Sequence, residues 1–147
     1  MPVVRSEKIL DVLPLDEKIL GFSNRWYRAA MEAANTHQLF PDLEIRVVTA
    51  PYFLATKIEA FKGRGRGDFF ASHDLEDLVF VVDGRSTIVE EVRTETPLLR
   101  EYLRTEIAEL LSTSGFVDAL PGYLLPDAAS QARIGTVLHR VKTIASP

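Results

Sequence analysis

The stretch Ala50 to Arg85, APYFLATKIEAFKGRGRGDFFASHDLEDLVFVVDGR, decides how this chain folds. Thr49-Ala50-Pro51 opens a helix, because proline in the first turn gives up no helical hydrogen bond. Phe53, Leu54, Ile58 and Phe61 then supply an apolar face. Gly63-Arg64-Gly65-Arg66-Gly67 cannot continue a helix and forms a loop. Ser72 is an N-cap, and Asp74, Glu76 and Asp77 suit the first turn of a second helix by charge. Leu78 to Val82 is rich in β-branched residues and fits a buried strand as well by local pattern. We read it as helix, ended at the Asp83-Gly84 turn.

Downstream, Leu98, Leu99, Tyr102, Leu103, Ile107, Leu110 and Leu111 form a helical stripe. Pro97 starts that helix and Gly115 is expected to stop it. Phe116 to Pro126 reads as a short connection. Asp127 or its neighbour caps a last helix with Ile134, Val137, Leu138, Val141 and Ile144 on one face. Upstream, Val3-Val4 and Ile9 to Leu13 read as strand, with Asp11 inside the second run and Pro14 ending it. Gly21 to Asn35 reads as helix around Trp26 and four alanines, and Leu43 to Thr49 as strand. The expected fold is α+β in a single domain, 1–147. A small N-terminal sheet of two or three strands, with one helix, occupies 1–49 and packs on a helical region at 50–147.

Composition narrows the chemistry. The 147 residues suffice for one core, and 46% hydrophobic with 26% charged residues is ordinary for a globular chain. A net charge of -4 gives no global attraction to nucleic acid or anionic membrane, so any polyanion site must be local. The absence of cysteine excludes disulfides and thiolate metal sites. His37, His73 and His139 are widely spaced, without the pairing of a zinc hydrolase. No apolar run approaches the roughly 18 residues of a membrane span, and the N-terminus has no secretory pattern. A cytoplasmic location, with no membrane partner, follows as the expectation.

Several side chains carry possible chemistry. Asp11 in an apolar run is costly to bury unless it is paired or holds a metal; the alternative is an edge strand with Asp11 facing water. Lys57 shares a helix face with Phe53 and Phe61. It can contact a phosphate, or lay its stem over the core edge with its ammonium in water. The glycines around Arg64 and Arg66 let backbone N–H groups line an anion site, and the guanidinium forks suit phosphate. A solvated loop is the plain alternative. Asp74 and Asp77, at i and i+3, share a face, although acids at a helix start are common for dipole reasons alone. Glu59 and His73 read as surface residues, and Trp26 and Tyr27 as core.

Thr56-Lys57-Ile58-Glu59-Ala60 and His73-Asp74-Leu75-Glu76-Asp77-Leu78 resemble motifs of the minimal nucleotidyltransferases of the AbiEii/AbiGii toxin type, in the polymerase β-like superfamily. Ile9-Leu10-Asp11-Val12-Leu13-Pro14 and Gly21-Phe22-Ser23-Asn24-Arg25-Trp26-Tyr27 extend the likeness over most of the chain. It implies Mg²⁺-dependent transfer of a nucleoside monophosphate from an NTP to an RNA acceptor such as tRNA, or to a protein. It also implies a role as one component of a toxin–antitoxin pair. The implied catalytic residues are Asp11, the metal ligand, with Lys57, Asp74 and Asp77; Lys57, Arg64 and Arg66 would bind phosphate. The family's Gly-Gly or Gly-Ser turn and D-x-D strand have no counterpart before Asp11. The resemblance is therefore to a truncated nucleotidyltransferase-like fold with an incomplete active site. The expected explanations are a split or truncated protein or a start upstream of Met1. The rival readings are a catalytically inactive nucleotide- or RNA-binding module, one half of a split enzyme, and a homodimer through an exposed sheet edge.

Overall fold

The computed structural model describes residues 24–64 and 67–147. The fold is α+β: a two-stranded antiparallel sheet followed by a mainly helical region. A short helix α1 (Tyr27–Glu32) precedes strands β1 (Asn35–Phe40) and β2 (Leu43–Val47). Then come α2 (Ala50–Arg64), α3 (His73–Gly84), α4 (Ile88–Thr94) and α5 (Pro97–Ser112). The chain closes with α6 (Ser114–Tyr123), α7 (Ala128–Gln131) and α8 (Ile134–Ala145). The strand reading of Val3-Val4 and Ile9 to Leu13 lies outside the described residues.

Local chemistry accounts for most boundaries. The Ser72 hydroxyl accepts a hydrogen bond from the Leu75 amide and caps α3. Thr96 does the same for Leu99 at the start of α5, where Pro97 occupies the first turn. Asp127 caps α7 through the Ser130 amide, at 2.9 Å. Leu75, Leu78, Val79 and Val82 are all buried, and this packing decides in favour of helix where the local pattern fitted a strand. Leu99, Leu103, Ile107 and Leu110 bury the α5 stripe, and Val137, Val141 and Ile144 that of α8.

α2 and α3 pack against each other, α5 covers α2, and α8 lies across α3, α4, α5 and α6. Two arginines fasten the last helices to the end of α3. Arg140 Nη1 donates to the Val82 and Asp83 carbonyls at 2.7 and 2.8 Å. Arg133 forks onto the Asp83 carboxylate at 2.9 to 3.1 Å.

Five sequence expectations need correction. Gly63 and Arg64, expected in the loop, continue α2 to its end, and Asp127 caps the short α7 and not the last helix, which begins at Ile134 after Arg133. Gly115 does not stop α5, which ends at Ser112; it lies in the first turn of α6. The stretch expected to be a connection is therefore largely helix, because Phe116, Ala119 and Leu120 bury one face at i, i+3 and i+4. Gly115 serves close packing: a Cβ there would sit 2.7 Å from the Phe69 ring. The helix expected to reach Asn35 ends at Glu32, since Asn35 already pairs with Val47 in the sheet.

Candidate functional site

The lysine and acidic motifs meet along the seam between α2 and α3. Lys57 Nζ donates to Asp77 Oδ2 at 2.5 Å and lies 3.5 Å from Asp74 Oδ1. Arg64, at the last turn of α2, places Nε and Nη2 on the two Asp74 oxygens at 3.0 and 2.9 Å. The Lys57 ammonium also lies 5.4 Å from the centre of the Phe53 ring, one turn back along α2. Antiparallel packing of the two helices creates this alignment. Lys57 then faces Asp77 and Arg64 faces the start of α3.

Burial differs sharply within the cluster. The Asp74 side chain is 8% exposed and that of Lys57 23%, whereas that of Asp77 is 49% exposed. Burial pushes the Asp74 carboxyl up. The Arg64 fork, followed by the Lys57 charge, outweighs it and holds the carboxyl below its usual range. Asp74 in turn raises the Arg64 guanidinium. Two cations match two carboxylates, so the cluster is neutral overall.

Of the expected site residues, Lys57, Arg64, Asp74 and Asp77 are brought together; Asp11 and Arg66 lie outside the described residues. His73 is exposed and, among the described residues, bonds only its helix neighbour Glu76, at 3.0 Å. Asp74 and Asp77 are each matched to a cation, and among the described residues no three His, Asp or Glu side chains form a metal-holding group. On its own this donor set does not fit Mg²⁺, which takes octahedral oxygen ligands.

Sequence reasoning missed a second feature beside the cluster. A cavity of about 620 Å³ opens between the sheet, the start of α2 and the end of α3. Val47, Phe53 and Phe80 give it apolar walls, with Thr49, Arg85 and Glu95 among its polar groups. The Thr49 hydroxyl is buried and has no hydrogen-bond partner among the described residues. Phe53 belongs to both features, because its ring lines the cavity and lies against Lys57. No sequence signal marks this cavity, since its walls come from five separate elements.

Behind the seam, Trp26 is core, as expected, with its ring centre 4.9 Å from that of Tyr102 and 6.0 Å from that of Tyr52. Glu59 is not a free surface acid: it accepts the Tyr102 hydroxyl at 2.7 Å. Burial and then this carboxylate push the Tyr102 phenol far above its ordinary range. The segment after the glycine loop is also anchored. Phe69 packs on Phe61 at 5.3 Å, and its carbonyl accepts the Tyr123 hydroxyl. Burial, with Asp68 and Glu76 adding to it, pushes the Tyr123 phenol up to about 12.

Comparison with known proteins finds no matching family model, no matching curated protein and no matching solved structure. Among the described residues no helix is long and apolar enough to cross a membrane.

Proposed function

We propose that the α2–α3 seam is the phosphate-binding part of a nucleotidyltransferase-like site, and that its ligand is an NTP. The observation that carries this is Lys57, held within 3.5 Å of both motif carboxylates and beside the cavity wall at Phe53. The triphosphate would lie over Lys57 and Arg64, with the nucleoside directed toward the cavity.

Binding has a physical route. Asp77 is half exposed, and an exposed ion pair is worth only about 0–1 kcal/mol. A polyanion can therefore displace Asp77 from Lys57. Asp74 is buried and doubly held, so it stays and keeps Lys57 and Arg64 in place. Mg²⁺ would supply charge neutralisation at the phosphates. It needs a carboxylate that is not already paired, and Asp11 is the residue proposed to provide one. The acceptor would be RNA, tRNA included, or protein, within a toxin–antitoxin pair. The neutral pairing of the cluster favours a second reading at the same site: NTP or RNA binding without turnover.

Calorimetry with each NTP, with and without Mg²⁺, tests the site. Lys57→Ala is expected to weaken binding about tenfold or more, a loss of ~1.4 kcal/mol. Without Mg²⁺, Asp77→Asn is expected to tighten binding several-fold, because it removes the competitor for Lys57. Absence of NTP binding by the wild type would overturn the proposal. Saturable binding with no label transferred from NTP to tRNA or protein would select the second reading.

A further inference from the structure

We propose that β2 is the edge through which two copies of this chain pair, antiparallel, about a twofold axis at Ile45. Among the described residues β2 has a single strand neighbour, β1, and no strand among them pairs with its other edge. A two-stranded ribbon is marginal by itself, and a third or fourth strand stabilises it. Joining two copies through β2 produces one continuous four-stranded sheet.

The residues of β2 suit this pairing. In an antiparallel register centred on Ile45, Leu43 of one copy lies opposite Val47 of the other, and Glu44 opposite Arg46. Twofold symmetry makes each contact twice. Leu43 and Val47 are exposed large hydrophobics in the single chain, and the pairing places them against each other. Glu44 has no cationic partner among the described residues. Arg46 uses Nη2 to donate to the Glu32 and Ala34 carbonyls at 3.2 Å, which anchors the ribbon without neutralising the guanidinium. Two uncompensated charges of opposite sign, two residues apart on one face, thus become two cross-strand ion pairs. β1 lacks this self-complementarity, since Asn35–Phe40 carries no Lys, Arg, Asp or Glu.

Analytical ultracentrifugation of the full chain, taken to ~1 mM, tests the pairing. Wild type is expected to show a concentration-dependent dimer. Glu44→Arg alone and Arg46→Glu alone each set like charges opposite each other and are expected to weaken self-association about tenfold or more. Mixing the two variants restores opposite charges at both contacts and is expected to recover heterodimer at near wild-type affinity. That recovery separates charge pairing from misfolding, because a misfolded ribbon would not be rescued by its complement. A wild type that stays monomeric at ~1 mM, single variants that still dimerise normally, or a mixture that fails to associate would each overturn the proposal.

Discussion

The helical hairpin α2–α3 and the β-hairpin β1–β2 are both antiparallel pairs joined by turns, yet different forces hold them. The helical pair buries Leu54, Ile58, Leu75 and Leu78 in the core and closes its outer seam with the Lys57–Asp77 and Arg64–Asp74 pairs. In the β-hairpin every residue of β1 is exposed, and in β2 only Ile45 is half-buried. Backbone pairing and the Arg46 bonds to two carbonyls are its main ties. The helical seam therefore fixes side-chain positions to hydrogen-bond accuracy. The ribbon offers edges and side chains to other surfaces. A site needing exact charge placement belongs on the first, and a contact surface on the second.

Core truncation should produce the largest contrast between them. Leu78→Ala, at a fully buried position of α3, is expected to cost about 2–5 kcal/mol. Thermal melts should show the midpoint falling by about 3 °C per kcal/mol. A drop of less than 1 kcal/mol would mean that the α2–α3 interface is not the centre of stability.

The charged seam should give an intermediate effect. Asp74→Asn is expected to lose about 1–2 kcal/mol at pH 7, because the Arg64 fork and the Lys57 charge lose their carboxylate. Since the folded Asp74 titrates below its unfolded value, its contribution is complete above pH ~4 and fades as pH falls through the folded value. Urea titrations of both proteins across that range should converge at acid pH. A constant gap would trace the loss to packing and not to charge.

The ribbon should respond least. Phe40→Ser, at an exposed position beside the β-turn, is expected to change stability by no more than about 0.5 kcal/mol. Hydrogen exchange should show β1 amides opening with much lower free energy than those of α3. Equal protection in the two hairpins would remove the distinction between them.

Much of the helical region was legible because each signal was local. Pro51 and Pro97, the cap at Ser72, and the stripes of α5 and α8 each act within a turn or two of chain. β1 was not legible: Asn35–Phe40 has little β-branched character and becomes strand only by pairing with β2. α6 was missed because Gly115, Pro121 and Gly122 punctuate it while core contact holds it together. For the site, the sequence marked Lys57, Arg64, Asp74 and Asp77 as candidates. Their mutual pairing, the contrast between buried Asp74 and exposed Asp77, and the adjoining cavity depend on segments distant in sequence.

By itself, then, the sequence determined the charge inventory, the caps that start helices and the apolar periodicities that turn them toward a core. These follow from neighbours within a few residues. The tertiary structure alone decided that two cations and two carboxylates neutralise each other across one seam. It also decided that the ribbon of β1 and β2 leaves nearly all its residues exposed. The physical reason is that charge and edge interactions act through space, at distances that only packing of remote segments sets.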